Sequence, residues 1–186
     1  MRAHTLPALL LLLLGAFVLL CRLGAPGIFD LDEGLYAEAA REMLLTGDPV
    51  VPRVNGQPFF EKPPLVYWLG AASLWLFGRS ELAARLPSAA AALATALLVW
   101  RWGTRRFGPR AGLLAGAMLL LNPLVFATGR QLTTDAALML CIAAAMACQS
   151  RLAEEGGPRR MMQAGFWAAC GLGVLAKGAP GVVIPV

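Results

Sequence analysis

The chain has 186 residues, of which 58% are hydrophobic and only 15% are charged. A soluble domain carries about a quarter charged residues, whereas several stretches here approach the roughly 20 apolar residues that cross a bilayer as a helix. The composition therefore predicts an integral membrane protein. The net charge of +5 does not indicate a nucleic-acid partner, because the arginines form short clusters between apolar runs, as in loops retained on the cytoplasmic side.

The positions of histidine and cysteine exclude several kinds of site. His4 is the single histidine of the sequence and lies near its start, which excludes a histidine-based catalytic or metal site within this chain. The four cysteines lie in or beside apolar runs and lack the paired loop spacing of a disulfide framework or a zinc site. We expect them to act as small buried hydrophobic side chains.

The first apolar run extends from Leu6 to Leu20 and follows Arg2, which is also the layout of a signal-peptide core. No Ala-x-Ala cleavage site follows it, and further apolar runs come later in the chain. An uncleaved first span over about residues 6–23 is therefore favoured over a signal peptide.

Residues 31–46 are predicted to form an amphipathic helix that lies flat at the membrane surface. Asp30 and Glu33 have the spacing of a capping box at its start, while Gly47 and Pro49 end it. The apolar stripe of this helix consists of Leu31, Leu35, Ala39, Met43 and Leu44.

Residues 65–78 are apolar but short. Fourteen helical residues reach about 21 Å, less than the roughly 30 Å of a hydrocarbon core, and Trp68 and Trp75 favour the interface. We predict a second surface helix, with a true span as the alternative. The surface assignment places the basic clusters around 101–110 and 151–160 inside. It gives an external loop over 24–83 and further spans at about 84–101, 111–128, 133–150 and 161–176.

The sequence stops at "LAKGAPGVVIPV", part-way through a fresh apolar run. We expect the chain to be the N-terminal portion of a longer membrane protein, so that part of any site would lie outside it.

Three polar segments fall on the predicted external face: "DLDEGLY", "FFEKPP" and "GRQLTTD". Each has a structural explanation. The first acids can cap the helix and complement its dipole, Glu61 and Lys62 can be an exposed pair worth less than about 1 kcal/mol, and Asp135 can cap the next span. Taken together, however, the segments put carboxylates and cations on one membrane face beside a lipid-facing helix. Such an arrangement is also compatible with a catalytic site.

Five short motifs, in this order along the chain, resemble a known superfamily. They are D-E-x-x-Y-A-E, F-E-K-P-P-L-x-Y-W, A-R-L-P-S, T-T-D and L-x-K-G. The chain resembles the aminoarabinose transferase and protein O-mannosyltransferase superfamily. Its members are GT-C-type glycosyltransferases of the bacterial inner membrane. The resemblance implies an all-α, polytopic membrane fold: a GT-C transmembrane helix bundle with extracytoplasmic juxtamembrane helices. Residues 1–186 would be the N-terminal part of its single catalytic domain.

The resemblance also implies an activity, namely inverting transfer of a sugar from a polyprenyl-phosphate donor to a lipid or protein acceptor on the periplasmic face. It assigns catalytic roles to Asp32 and Asp135. The substrate-binding candidates are Glu33, Tyr36, Glu61, Lys62, Arg130 and Lys177. No cofactor is certain, but Glu61 and Asp135 are candidate ligands of a divalent metal ion. Many members carry an arginine just before the tyrosine, where this chain has Leu35.

The chemistry of such a transfer asks for the same residue types. It needs a base for the acceptor and positive charge for the departing phosphate. Asp32, close to a helix N-terminus, should stay ionised and accept the proton, and Lys62 or Arg130 could meet the phosphate. Adjacent helical residues point about 100° apart, so Asp32 is assigned to the acceptor and Glu33 to capping or loop structure.

Two rival functions belong to other classes. A transporter or channel fragment would carry ionisable residues in the middle of its spans, whereas the predicted span centres here are free of charge. A truncated or non-catalytic membrane subunit stays open, because the expected remainder of the domain lies outside the sequence.

Overall fold

Helices form almost all of the regular structure in residues 5–28, 31–153 and 159–186, which are the residues that this computed structural model describes. The predicted all-α class is confirmed. The helices are α1 (Thr5–Gly15, continued by a π-helical segment, Ala16–Leu20), α2 (Leu31–Thr46), α3 (Leu65–Phe77), α4 (Glu81–Phe107), α5 (Pro109–Leu120), α6 (Pro123–Gly129), α7 (Thr134–Leu152), α8 (Arg159–Lys177) and α9 (Pro180–Val183).

A small hairpin interrupts the loop between α2 and α3. Strands β1 (Arg53–Val54) and β2 (Gln57–Pro58) pair antiparallel. The two residues between them, Asn55 and Gly56, have φ angles of 53° and 75°, which is the backbone that an Asn-Gly hairpin turn requires. The carboxylate of Glu42 accepts a hydrogen bond from the Gly56 amide at 3.1 Å, so the hairpin is tied back to α2.

Helix α4 is the centre of the bundle and packs against α1, α3, α5 and α7. Its start is capped by Ser80, whose hydroxyl accepts from the Ala83 amide at 3.2 Å. Its partner α5 approaches very closely at Gly112, where an added Cβ would lie 2.2 Å from the Thr104 hydroxyl oxygen. Only glycine fits there, as is usual where membrane helices are in backbone contact.

The segment predicted as one span over 111–128 consists of two helices, α5 and α6, bent by 60°. The break has a local cause. The side chain of Asn122 accepts hydrogen bonds from the amides of Leu124 and Val125, which caps a new helix start, and Pro123 has no N–H to continue the old one.

Helix α2 begins and ends where the sequence predicted, and most of its predicted apolar stripe packs inward: Ala39 and Met43 are buried, and Leu35 and Leu44 are partly buried against the same cluster. The predicted stripe included Leu31, which is 77% exposed. The buried residues are Glu33, Tyr36, Ala39, Ala40 and Met43. The buried face is wider than the predicted stripe because α2 packs on α3, so its orientation is set by a neighbouring helix as well as by lipid.

Two of the described helices, α4 and α7, are long and apolar enough to cross a bilayer, and the bent pair α5–α6 would make a third span. The apolar segments Thr5–Leu20 and Leu65–Phe77 are shorter. Thirteen residues of α3 extend about 20 Å, less than a hydrocarbon core. The surface position of α3 and the spans over 6–23 and 161–176 stay predictions.

The helices α4 and α7 run side by side, so the bundle has a basic end and an opposite end. Trp102 donates a hydrogen bond to the Ser150 hydroxyl at 3.0 Å, which joins the last turns of the two helices. Arginines of both helices lie at that end. The first turns of the same helices hold Arg85 and Asp135 at the other end, roughly 24 Å away by helix rise.

Candidate active site

A buried ion pair between Glu33 and Arg85 lies at the non-basic end of the bundle. The two side chains are only 1% and 3% exposed. Arg85 Nε and Nη2 donate to the two carboxylate oxygens of Glu33, each at 2.8 Å, in a bidentate pair. The remaining guanidinium hydrogen bonds go to the backbone carbonyls of Leu23, Pro26 and Gly27. This one arginine therefore ties α4 to α2 and to the loop after the first helix.

Glu33 also holds the turn between α6 and α7. Its Oε1 accepts the Leu132 amide at 3.0 Å. Ligands in solvent do not reach a carboxylate that is 1% exposed, although Glu33 was expected to contact substrate. The other half of its predicted capping box, Asp30, lies outside the described residues.

Asp32 is exposed, in contrast to its neighbour Glu33. The difference follows from helix geometry, because consecutive side chains point about 100° apart. The first turn of α2 thus presents one carboxylate to the outside while the next is locked in the protein. The structure separates the two acids by burial, and the catalytic role of Asp32 stays a prediction.

Three other predicted site residues, Tyr36, Glu61 and Lys62, lie close to Tyr67. The Tyr36 and Tyr67 rings are 6.0 Å apart, edge to face. Tyr67 is fully buried; its hydroxyl lies close to the Lys62 backbone but makes no hydrogen bond of good geometry to a described group. Burial, with smaller contributions from Tyr36 and Glu61, raises the pKa of the Tyr67 phenol, while the backbone near Lys62 acts in the opposite direction. Lys62 itself is half-buried and Glu61 is exposed.

Asp135 and Lys177 form an ion pair, which brings together two candidates 42 residues apart in sequence. The Lys177 ammonium donates to Asp135 Oδ1, and the side chains stay 36% and 45% exposed. The pair lies next to the start of α3, because Leu65 packs against a small cluster at the start of α7 and the end of α8: Ala137, Leu138 and Ala176. Lys62 is three residues before Leu65 in this corner.

The remaining candidate, Arg130, caps the C-terminal end of the first helix. Its guanidinium donates to the carbonyls of Val18, Leu19 and Cys21 at 2.9–3.0 Å. It also lies 5.0 Å from the centroid of the Phe126 ring, in a cation–π contact. An open apolar groove of about 510 Å³ between the first helix and the α5–α6 bend borders this guanidinium.

The candidate metal ligands, Glu61 and Asp135, are not part of a larger cluster of ligand side chains among the described residues, and their assignment stays a prediction. No group of three or more His, Cys, Asp or Glu side chains comes together within residues 5–28, 31–153 and 159–186. Of the two expected ligands, Asp135 engages the Lys177 ammonium, which competes with any cation. No chemical step is therefore assigned to a metal.

Arg85 is the residue that sequence reasoning missed. It was part of the motif A-R-L-P-S, but no role was attached to it. The sequence did indicate that Arg85 has a partner, since an arginine at the beginning of an apolar run is costly in a membrane environment unless it is paired. Its partner could not be read from the sequence, because Glu33 lies 52 residues away.

Fold and site together define a polytopic membrane protein of the GT-C type, with acidic and cationic side chains gathered at the end of the bundle opposite its basic loops. Residues 61–186 match the sequence profile of the dolichyl-phosphate-mannose-protein mannosyltransferase family. Because this match covers more than half of the chain, the chain belongs to that family.

Individual relatives agree with this assignment. The chain is 37% identical, over 91% of its length, to an undecaprenyl phosphate-alpha-4-amino-4-deoxy-L-arabinose arabinosyl transferase from Edwardsiella ictaluri. It superposes on the crystal structure of ArnT from Cupriavidus metallidurans in the apo state with a TM-score of 0.90, 31% identity and 98% coverage. For ArnT bound to undecaprenyl phosphate, the TM-score is 0.87, with 31% identity and 94% coverage.

The chain is much shorter than these relatives. It spans 32% of the Edwardsiella protein, and 35% and 33% of the two ArnT chains.

Proposed function

We propose that this chain forms part of a membrane glycosyltransferase that moves a sugar from a polyprenyl-phosphate donor to a lipid or protein acceptor. The observation that carries the proposal is the clustering of an exposed aspartate, a half-buried lysine and a second carboxylate–lysine pair at one end of a GT-C-type bundle. The similarity to ArnT bound to undecaprenyl phosphate supports the donor class. The names of the relatives make 4-amino-4-deoxy-L-arabinose the first sugar to test.

The residues can be given roles in an inverting displacement. The acceptor oxygen or nitrogen attacks the anomeric carbon while the bond from that carbon to the phosphate oxygen breaks. Asp32 takes the proton of the acceptor as general base. The leaving group is the polyprenyl phosphate, whose developing negative charge Lys62 stabilises. A single displacement inverts the configuration at the anomeric carbon.

The second carboxylate, Asp135, is proposed to act with Lys177 on the same substrates. Both side chains are partly exposed, so they are available to a ligand, and the ion pair holds the lysine at the end of α8 next to the start of α7. Tyr36 and Glu61 are proposed to line the site beside Lys62. Glu33 is given a positioning role, because its carboxylate is enclosed by Arg85 and the Leu132 amide.

We further propose that the protein resides in the bacterial inner membrane with this site facing the periplasm. The basic end of the bundle supports that orientation, because arginine-rich segments next to spans are retained on the cytoplasmic side. The three acids and two lysines of the site lie at the other end of the same helices.

The experiment compares Asp32→Asn with Asp48→Asn. Asp48 is a matched control just after the end of α2: it is partly exposed, and it accepts hydrogen bonds from the Val50 and Val51 amides within a turn. Asp32→Asn should lower sugar transfer from a polyprenyl-linked donor by about 10²–10⁴-fold, as expected for a lost acid–base group. Asp48→Asn should leave transfer within a few-fold of wild type.

Transfer is measured in membranes that contain the protein, and its abundance is quantified in parallel. A near-wild-type rate for Asp32→Asn at normal abundance would contradict the catalytic role of Asp32. Absence of any transfer by the wild-type protein would instead favour a non-catalytic membrane subunit.

A further inference from the structure

We propose that Arg85 is a positioning residue that sets the register between the first turn of α2, which carries Asp32, and the first turn of α7, which carries Asp135. The inference rests on the proposed function, since it concerns the two carboxylates of that site. Arg85 is too deeply buried to touch substrate, at 3% exposure, so it would act only through the groups that it holds.

The hydrogen bonding of Arg85 is complete. A guanidinium has five N–H donors, and the five hydrogen bonds of this side chain use one Nε, two Nη1 and two Nη2 donations. The acceptors are both oxygens of Glu33 and the three carbonyls of the loop after the first helix. A planar fork with every donor engaged allows little rotation, so each acceptor is held in one place relative to α4.

Glu33 transmits this constraint in two directions. In α2 it directly follows Asp32, so the direction of the Asp32 side chain is coupled to the fixed Glu33 carboxylate. Its Oε1 also accepts the Leu132 amide at 3.0 Å. Leu132 is 1% exposed and lies three residues before Asp135. A single buried carboxylate thus joins the segments that carry the two exposed acids.

Because the link between Glu33 and Arg85 is a buried ion pair, a role in fixing the register of the two segments is favoured over a role in stability alone. Buried ion pairs contribute little net stability compared with apolar side chains of similar size, whereas a role in fixing register is their best-attested use. A displacement of about 1 Å at a reacting group can lower a rate about 10²-fold. The attachment of both segments to the guanidinium of Arg85 would keep the two carboxylates in position within that tolerance.

The first test is Arg85→Lys. Lysine keeps the positive charge for Glu33 but has three donors on a flexible stem instead of a rigid fork. We expect the protein to accumulate and to bind undecaprenyl phosphate as wild type does, while kcat falls about 10²-fold and KM changes little. The pH dependence of kcat should be unchanged, because Asp32 still acts as the base. A purely structural role would instead lower abundance and leave the kcat of the folded protein intact, which would overturn the proposal.

A second variant removes both buried charges of the Glu33–Arg85 pair. In Glu33→Gln/Arg85→Met both ionised groups are gone, yet the glutamine oxygen can still accept the Leu132 amide. Loss of both charges avoids the uncompensated buried charge that single changes create. The carbonyls of Leu23, Pro26 and Gly27 lose their donor, at about 1–3 kcal/mol each, so abundance is measured and kcat is referred to the folded protein. It should have the same kcat defect as Arg85→Lys. Wild-type kcat in either folded variant would overturn the proposal.

The register itself can be measured without activity. Spin labels at Leu31→Cys and Gln131→Cys, in a background free of the native cysteines, report the distance between the two segments. The distribution should be narrow with the native Arg85 and broader in the Arg85→Lys variant; an unchanged narrow distribution would overturn the proposal. Asp32→Asn is assayed alongside. If it retains activity, the proposed function fails, whereas an impaired Asp32→Asn with fully active Arg85 variants refutes only the positioning role.

Discussion

The Ser73 hydroxyl donates a hydrogen bond of 2.5 Å to the backbone carbonyl of Ala83. Pro87 lies four residues after Ala83 within α4 and has no N–H to donate to that carbonyl. A side chain of α3 therefore supplies the bond that a proline inside α4 removes, as neighbouring helices do for prolines in membrane proteins. The contact fixes the angle at which α3 meets the start of α4, next to Arg85.

Removal of this hydroxyl should destabilise the protein in a way that depends on Pro87. Ser73→Ala leaves the buried Ala83 carbonyl unsatisfied and should lower the free energy of unfolding by about 1–3 kcal/mol. In a Pro87→Ala background, the introduced alanine can donate its own amide to that carbonyl, so the effect of Ser73→Ala should become clearly smaller. Thermal unfolding in detergent of the two single variants and the double variant gives the coupling energy. Equal effects in both backgrounds would contradict the interpretation.

Lys62 should contribute to binding of the lipid phosphate. It is half-buried beside Tyr67, so its charge acts in a site partly shielded from water. Lys62→Ala should weaken binding of undecaprenyl phosphate by about tenfold, equivalent to about 1.4 kcal/mol. The readout is the stabilisation against heat that the ligand produces, since ligand binding to the folded state raises its stability.

Arg159→Ala is the control for Lys62, because Arg159 is an exposed cation at the start of α8, at the basic end of the bundle. Equal loss of ligand stabilisation in the two variants would mean that Lys62 acts only as general surface charge.

Tyr67 should make the protein sensitive to alkali. Its phenol is buried with a raised pKa, so the folded state keeps the proton when the unfolded chain, with an ordinary pKa of 10.0, releases it. Stability should therefore be constant below that pH and should fall as the pH rises above it, by at most about 1.4 kcal/mol per pH unit. Tyr67→Phe removes the titrating group and a buried hydroxyl that makes no hydrogen bond of good geometry to a described group.

The measurement is the melting temperature of wild type and Tyr67→Phe from about pH 8 to about pH 11. We expect equal or higher stability of the variant at neutral pH and a shallower alkaline decline. The same slope in both proteins would assign the alkaline sensitivity to other groups.

The basic end of the bundle should face the cytoplasm. A cysteine at Phe107, which is exposed at the end of α4, should react with an impermeant thiol reagent only after cells are permeabilised, because arginine-rich segments resist translocation. A cysteine at Gln57, exposed in the hairpin, should react in intact cells. Both are placed in a background without the native cysteines, since Cys21 is exposed. Labelling of the Phe107 position from outside would make α3 a true span.

The bounds of α2 and α3 were readable from the sequence because they depend on local chemistry, whereas α4 (Glu81–Phe107) extends well beyond the predicted 84–101. The predicted segment 31–46 coincides with α2, and 65–78 extends one residue beyond α3. Glycine and proline next to these segments end the helices through backbone conformation and missing N–H groups, which need no distant partner. The Asn-Gly pair of the hairpin was an equally local signal, although it was interpreted only as a loop.

The sequence by itself determined the class of protein, the helices and the set of charged residues that gather at one end. Tertiary structure decided which face of α2 is buried, how the predicted third span bends, and which acid is exposed. The reason is that burial of a charge depends on its partner. Asp32 and Glu33 are adjacent carboxylates at the start of α2, but only Glu33 is buried and paired with Arg85. The hydrogen bond that distinguishes them joins residues 52 positions apart, and only the tertiary fold brings the start of α2 to Arg85 of α4.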